Sequence, residues 1–156
     1  DYNTIARQDI IPYKKAIDDE IEGIMTSHVL YKNVDSYPPT ISIKWLQILK
    51  NDLRYKGLIF SDDLSMKALE AFGSINENLI KAVNAGCDCL FICNNRKKII
   101  DILDNVYLEV DEIVSNKIMN LSKKRIHENT SDNKKRLKVI DQLLKIKEKK
   151  QIEINV

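Results

Sequence analysis

The chain has 156 residues, of which 44% are hydrophobic and 31% charged, so it has enough apolar material for one packed domain and is not globally disordered. The 25 basic and 23 acidic residues nearly balance and only 6% of residues are aromatic, which argues against a dedicated nucleic-acid binder, since such proteins need excess cations and stacking platforms. No apolar run reaches the about 18 residues of a membrane-spanning helix, and the start DYNTIARQDI lacks the basic and apolar regions of a secretory signal, so we predict neither a nucleic-acid nor a membrane partner.

The first part of the chain alternates helical and strand patterns. Residues 9–20 predict a short helix, because Pro12 falls in a first turn, where a missing N–H is tolerated. Residues 21–29 predict a strand that ends near His28, and a loop rich in turn residues follows. Ser42 is the predicted N-cap of the next helix. Its apolar face carries four residues: Ile43, Leu46, Leu49 and Leu53.

The rest of the chain continues the alternation and ends in helices. The predicted elements are a strand at 58–61, a helix at 64–85, a strand at 87–93 and helices at 94–106, 109–128 and 132–149. Short apolar strands alternating with helices are typical of βα units on a parallel sheet, an α/β fold. Three strands are fewer than the eight of a closed (β/α)8 barrel. The residues therefore leave open a small open sheet or part of a larger barrel.

Three cysteines, Cys87, Cys89 and Cys93, fall within seven residues of the third strand. An odd number of cysteines suits a reducing cytosol, and we expect a cytoplasmic location. The spacing puts all three on one face of an extended strand rather than around one ion. We therefore predict small apolar side chains in a buried strand and no metal site.

The basic tail, residues 133–150, carries an apolar stripe with Leu137, Ile140 and Leu144. This pattern predicts a surface helix that docks on the body of the protein. A basic face that binds an anion, a membrane or nucleic acid is the alternative. His127 lies in a charged stretch, far in sequence from any strand end, and we expect it at the surface.

Two adjacent carboxylates, Asp62 and Asp63, stand where the second predicted strand ends. In α/β proteins ligands and chemistry lie beyond the carboxyl ends of the strands. Neighbouring strand residues point in opposite directions, so the two side chains are expected to have different roles. One faces the mouth of the sheet, and the other caps the following helix, where N–H groups favour aspartate. The spacing alone leaves open that both are caps and turn formers.

Four stretches resemble glycoside hydrolase family 3, specifically its bacterial β-N-acetylglucosaminidases: EGIMTSHVLY, YPPTISIKWLQILKNDLRYKGLIFSDDLSM, the overlapping GLIFSDDLSMKAL, and AVNAGCDCLFICNNR. Their order and spacing agree with that family from about Ile10 to at least Asn105. The resemblance implies an α/β fold that is the C-terminal portion, about strands six to eight with their helices, of a (β/α)8 TIM-type barrel. It assigns residues 1–130 to this partial barrel with the nucleophile segment, and leaves 131–156 as a basic helical tail.

The resemblance also implies a chemistry. Asp62, the first aspartate of the Ser-Asp-Asp run, corresponds to the nucleophile of a retaining glycosidase, which attacks a terminal β-linked N-acetylglucosamine and forms a glycosyl-enzyme. Asp63 is then the helix cap. His28 is a candidate substrate-binding residue, with a structural histidine bonded to loop backbone as the alternative, and Met66 is a weaker candidate. The implied substrates are muropeptides of peptidoglycan recycling or chitooligosaccharides, and no cofactor is implied.

The family's acid/base loop has no counterpart in this sequence. Its histidine follows the fifth strand, next to a Lys-His-Phe-Pro-Gly-His-Gly motif that is absent here. Losing a general acid costs on the order of 10²–10⁴ in rate, and unpaired strand edges favour association with other chains. We expect either a requirement for a missing N-terminal half-barrel or, as the alternative, a catalytically inactive truncated relic or interaction module.

Overall fold

The structure, a computed structural model, describes residues 2–109 and 111–124 together with Lys138 and Asp141. The chain divides into two compact units, Asp1–Asn120 and Leu121–Val156. The predicted helix at 132–149, the apolar stripe of the basic tail and His127 lie outside the described residues, Lys138 and Asp141 excepted. None of the described helices is long and apolar enough to cross a membrane.

Helices and three short strands alternate along the described chain. In order they are α1 (Tyr2–Arg7), α2 (Ile11–Asp18), β1 (Gly23–Met25), α3 (Ile43–Gln47), β2 (Leu58–Asp63), α4 (Ile75–Ala85), β3 (Cys89–Phe91), α5 (Arg96–Asn105) and α6 (Glu112–Lys124). Short 3-10 helices lie at Pro39–Ile41 and Lys67–Phe72, and π-helical geometry follows α3 at Ile48–Asp52.

The three strands form one parallel sheet in the order β1-β2-β3. Ile24 of β1 lies opposite Ile59 of β2, and the central strand has neighbours on both sides. Leu58 and Ile59 are each only 1% exposed, as expected for a central strand that is covered on both faces. The predicted α/β fold is confirmed at this level.

The core lies between the sheet and the helices that follow β1 and β2. Leu46 of α3, Leu79 and Ala82 of α4 and Leu69 before it pack with Ile59 in one buried cluster. Full burial of such side chains contributes roughly 1.5–3 kcal/mol each. This packing fixes β2, and therefore the place where its carboxyl end meets solvent.

The predicted helix after β2 is in fact two segments. The 3-10 turn ends at Gly73, whose φ of 133° is strained for any residue with a side chain. Ser74 then caps α4 through a capping box, in which its Oγ accepts from the Glu77 N–H and Glu77 Oε2 accepts from the Ser74 N–H at 2.7 Å. The Ser-x-x-Glu spacing of Ser74 and Glu77 indicates that a helix starts here, whereas the continuous apolar pattern on both sides predicts one uninterrupted helix.

The N-cap of α3 is confirmed, because Ser42 Oγ accepts from the Trp45 N–H at 3.0 Å. The predicted apolar face of this helix is only partly correct. Leu46 is buried, whereas Ile43, at the first helical position, is 56% exposed.

Gly57, just before β2, fills a place where no side chain fits. A Cβ there would lie 2.2 Å from Tyr55 Oη and 2.7 Å from the Glu22 carbonyl oxygen. Tyr55 is itself buried and donates from Oη to the Leu58 carbonyl oxygen at 3.1 Å. We expect Gly57→Ala to lower the free energy of unfolding by about 1–3 kcal/mol, because the core must shift to admit the methyl group. Urea denaturation measures this change.

A double substitution tests the steric cause. Tyr55→Phe removes the oxygen atom nearest to the added methyl group, so Gly57→Ala should cost less in that background than in the wild type. The recovery should be partial, since the ring Cζ, at 2.5 Å from the added Cβ, and the Glu22 carbonyl oxygen, at 2.7 Å, both remain. Equal costs in the two backgrounds would contradict the overlap with Tyr55 Oη as a cause.

Candidate functional site

The Ser-Asp-Asp run ends the central strand at a break in the strand pairing. Phe60 lies opposite Cys89 and Asp63 lies opposite Phe91, so β2 takes three steps where β3 takes two. An extra residue of this kind bends a strand and re-aims its side chains, and such bulges are frequent next to active sites. The simple alternation that predicts opposite directions for Asp62 and Asp63 is therefore interrupted here.

Ser61 completes the hydrogen bonding at this break. Its side chain is fully buried, and its Oγ accepts from the Phe91 N–H at 2.8 Å. A buried N–H without a partner would cost roughly 1–3 kcal/mol. The sequence gives no separate signal for this role, because Ser61 precedes the aspartates without any spacing that marks a bulge.

Asp62 is half-buried at the end of β2. Its Oδ1 accepts from the Asp63 N–H at 2.8 Å. No other described residue donates a hydrogen bond to this carboxylate, so Oδ2 has no partner in the part of the chain that the structure describes. One oxygen is held and the other is free to contact a bound molecule.

Asp63 joins the end of β2 to the chain beyond β3. Its Oδ1 accepts from the Ser65 N–H at 2.9 Å, from Ser65 Oγ at 2.7 Å and from the Cys93 N–H at 3.0 Å. Burial opposes ionisation of this carboxyl, but the hydrogen bonds from Cys93 and Ser65 outweigh it and hold the pKa of Asp63 below its usual value.

The prediction that Asp63 caps the next helix is wrong. The 3-10 turn that follows begins after Met66, which makes no side-chain cap, and α4 is capped by Ser74. The Asp63 carboxylate instead holds the Ser65 turn and the Cys93 backbone. The reason is that the chain turns at Ser65 before any helix starts, and the donors nearest to Asp63 belong to that turn and to the segment after β3.

His28, three residues after β1, lies against the backbone of the aspartate pair. Its Nε2 donates to the Asp63 carbonyl oxygen at 2.9 Å, so Nε2 carries a proton. Its Nδ1 is buried and has no hydrogen-bond partner among the described residues. This is the geometry expected of a structural histidine bonded to backbone, and the substrate-binding role of His28 stays a prediction.

The segment that leads from β1 to His28 is fixed by Thr40, which is fully buried. Thr40 Oγ1 donates to the Ser27 carbonyl oxygen at 3.1 Å and lies 2.9 Å from Thr26 Oγ1. The Thr26 N–H in turn donates to the Phe60 carbonyl oxygen at 2.9 Å. The backbone before His28 is thus tied to both the loop and β2.

The three cysteines have different surroundings. Cys87 is buried, Cys89 half-buried and Cys93 exposed, so the predicted core position is confirmed for Cys87 and wrong for Cys93. The strand proper ends at Phe91, which leaves Cys93 beyond the sheet. Within the described residues, no three His, Cys, Asp or Glu side chains form a group that could hold a metal ion.

The cysteines should therefore react at different rates. Burial raises the pKa of Cys87 to about 12, and its thiol cannot ionise or reach a reagent at mildly alkaline pH. We expect iodoacetamide to modify Cys93 first and Cys87 only after unfolding, as measured by intact mass and peptide mapping. Cys93→Ser should remove the fast reaction. Modification of Cys87 at the rate of Cys93 in the folded protein would contradict this order.

The lowered pKa of Asp63 links stability to pH. Because its folded-state pKa lies below the reference value of 3.8, ionised Asp63 stabilises the fold above that value, and this contribution is lost as the pH falls through the folded-state pKa. We expect Asp63→Asn to be less stable than wild type at neutral pH. The difference should shrink as the pH falls below 3.8, as measured by urea denaturation across a pH series.

A matched control for this measurement is Asp104→Asn, which changes an exposed aspartate on α5. It should leave the pH dependence of unfolding unchanged. A stability difference between Asp63→Asn and wild type that stays constant into the acid range would contradict the role of the ionised carboxylate.

Comparison with known proteins places this geometry in a family context. The sequence profile of the glycosyl hydrolase family 3 N terminal domain matches residues 1–150. A β-hexosaminidase of Nitrosomonas eutropha is 39% identical over 113 residues, which are 72% of this chain and 32% of that protein.

Solved structures agree with the sequence match. NagZ from Neisseria gonorrhoeae in complex with N-trifluoroacetyl-D-glucosamine is 29% identical with a TM-score of 0.68, over 76% of this chain and 33% of that one. CbsA from Thermotoga neapolitana is 26% identical with a TM-score of 0.67, over 83% of this chain and 32% of that one. The chain spans about a third of the length of these relatives.

Proposed function

This chain belongs to glycoside hydrolase family 3, and we propose that it carries the nucleophile of a retaining β-N-acetylglucosaminidase, with Asp62 in that role. The observation that carries the proposal is the Asp62 carboxylate at the carboxyl end of the central strand, with Oδ1 held by the Asp63 N–H and Oδ2 without a described partner. The sugar class is supported by relatives named β-hexosaminidase and by a neighbour solved with N-trifluoroacetyl-D-glucosamine.

In the proposed reaction, ionised Asp62 attacks the anomeric carbon through Oδ2. The bond from that carbon to the leaving oxygen breaks, and the leaving oxygen takes a proton from a general acid. Water then attacks the same carbon of the glycosyl-enzyme, loses a proton to the conjugate base of that acid and releases Asp62, with retention at the anomeric centre. Asp62 needs no cofactor for either step.

The proposed architecture assigns β1, β2 and β3 to about strands six to eight of a (β/α)8 barrel. We expect the remaining strands, the sugar contacts and the acid/base group to come from an N-terminal half-barrel. The outer position of β1 in the described sheet supports this, since β1 pairs with β2 alone and its Met25 is 56% exposed. Muropeptide or chitooligosaccharide substrates and a place in cytoplasmic peptidoglycan recycling belong to the same proposal and come from the resemblance.

A non-catalytic interaction module is the second candidate function. It is favoured by two exposed apolar side chains at the β1 edge, Tyr13 of α2 and Met25 of β1, which line the same surface pocket. Such a surface next to an open strand edge invites pairing with another chain. In that case the Asp62 carboxylate would have no chemical role.

An activated glycoside tests the nucleophile independently of a general acid, because a fluoride leaving group departs without protonation. We expect a ring-fluorinated N-acetylglucosaminyl fluoride to add one glycosyl group to this chain, mapped by peptide mass spectrometry to Asp62. Asp62→Asn should abolish the labelling, because an amide oxygen is a poor nucleophile. Asp104→Asn, at an exposed site on α5, should label like the wild type.

A chimera extends the test to turnover. In it, this chain replaces the matched third of the Nitrosomonas eutropha β-hexosaminidase. We expect hydrolysis of an aryl β-N-acetylglucosaminide, with kcat lowered by at least about 10³-fold in Asp62→Asn. A label on Asp63, or a folded chimera whose activity survives Asp62→Asn, would overturn the assignment. No label and no turnover in any variant would favour the interaction module.

A further inference from the structure

We infer that Asp63 and His28 are positioning residues that orient the Asp62 carboxylate by holding the carboxyl ends of all three strands together. The group is called the strand-end clamp and consists of His28, Asp63, Ser65 and the backbone of Cys93. Its consequence for catalysis rests on the proposed role of Asp62 as nucleophile. In this inference His28 acts on catalysis indirectly, by positioning Asp63, and does not contact the sugar.

All three polar groups of Asp63 take part in the clamp. The carbonyl oxygen accepts from His28 Nε2 on the β1 side at 2.9 Å, and the carboxylate accepts from the Cys93 N–H on the β3 side at 3.0 Å. The N–H donates to Asp62 Oδ1 at 2.8 Å. The partners are 35 and 30 residues away in sequence, so the first two bonds are tertiary contacts and not features of a local turn. Any movement of Asp63 therefore moves the group that holds Asp62.

The bulge makes this support necessary. At Ser61 and Asp62 the regular pairing of β2 with β3 is interrupted, and a side-chain oxygen of Ser61 stands in for the backbone acceptor. The terminal torsion of an aspartate is also broad, so the strand alone does not fix the direction of the Asp62 oxygens. A displacement of about 1 Å at a reacting group can cost on the order of 10²-fold in rate. The clamp supplies the restraint that the interrupted ladder lacks.

The hydrogen bonding of the Asp63 carboxylate fits a residue that connects chain segments better than one that binds a substrate. One oxygen, Oδ1, accepts three hydrogen bonds, from the Ser65 N–H, Ser65 Oγ and the Cys93 N–H. Bonds to an ionised acceptor are about twice as strong as neutral ones. Asparagine keeps an acceptor oxygen at this place, whereas alanine removes it. Asp63→Asn should therefore weaken these hydrogen bonds, and Asp63→Ala should abolish them.

His28 contributes through one nitrogen. Its Nε2 is committed to the Asp63 carbonyl, and its Nδ1 is buried without a partner among the described residues. A residue that binds the sugar directly would need a polar atom that is accessible to the sugar, and neither ring nitrogen of His28 meets this requirement. Glutamine can still donate towards the Asp63 carbonyl, whereas phenylalanine keeps the ring and loses the donor.

The first test is NMR of this chain. Exchange of the Cys93 amide proton with solvent should be about 10- to 100-fold faster in Asp63→Ala, and less so in Asp63→Asn, because the bond to a charged acceptor is lost or weakened. In wild type, the Asp63 amide proton shift should follow the ionisation of Asp62, and Asp62→Asn should remove that component. His28→Phe should reduce the same component by at least about half, because hydrogen bonds weaken steeply with angle, and His28→Gln should restore most of it.

The Ile59 amide is the internal reference, since it donates to Asp88 Oδ2 at the other end of β2 and should not change in any of these variants. A general loosening of the fold would accelerate exchange at both amides. Unchanged Cys93 exchange in Asp63→Ala, or an Asp62-dependent shift that survives His28→Phe at full size, would overturn the clamp.

The second test separates the clamp from the proposed function. In labelling by the activated glycosyl fluoride, His28→Phe and Asp63→Ala should lower the maximal rate by about 10- to 100-fold with little change in the half-saturating concentration. His28→Gln should recover the rate. A rise in the half-saturating concentration alone would make His28 a sugar ligand and would contradict the inference. If wild type is labelled neither alone nor in the chimera, and the chimera does not turn over, the nucleophile proposal fails, and the NMR result still decides whether the clamp exists.

Discussion

The candidate site depends on the burial of one strand between two parallel neighbours. Leu58 and Ile59 of β2 are almost fully buried, and the sheet pairs this strand on both sides. The amino end of β2 is held as well, because Asp88 Oδ2 accepts from the Ile59 N–H at 2.9 Å and lies 3.9 Å from Lys117 Nζ. Lys117 also donates to the Gly57 carbonyl oxygen at 3.2 Å. With this end fixed, the position of the carboxyl end depends on the residues that terminate the strand and on their partners beyond β1 and β3.

Ser61, Asp62 and Asp63, which end the strand, have different roles because the strand contains a bulge. Ser61 supplies the acceptor that the interrupted ladder lacks, Asp62 keeps one carboxylate oxygen without a described partner, and Asp63 bonds to the segments that follow β1 and β3. A regular strand end would leave two aspartates on opposite faces with no reason to cooperate. The extra residue turns a run of three polar side chains into three different functions within one strand end.

Patterns over a few neighbouring residues predict those features of the structure that depend on local contacts. The α/β order, the strand positions and the Ser42 cap all follow from spacing over a few residues, and the structure confirms them. The role of Asp63 does not, since its partners lie 30 and 35 residues away and a neighbouring helix start offered a plausible local substitute. The bulge is likewise invisible in the sequence, because it is a property of how two strands pair. The resemblance to a family singled out Asp62, but only the fold supplies the reason for its neighbours.

The position of the proposed nucleophile restricts where the general acid of the proposed reaction can lie. The proposed nucleophile, Asp62, must be held rigidly, and the buried cluster of the described residues restrains the strand that carries it. In retaining glycosidases the acid/base group lies about 5 Å from the nucleophile, so in the proposed reaction the group that protonates the leaving oxygen must lie beside the carboxyl ends of these strands. β1 is an outer strand of the described sheet, and the exposed Met25 lies on it. A strand that pairs in parallel with that edge would bring its carboxyl end beside His28 and Asp63, and its groups could then approach Asp62 as an extension of the same sheet.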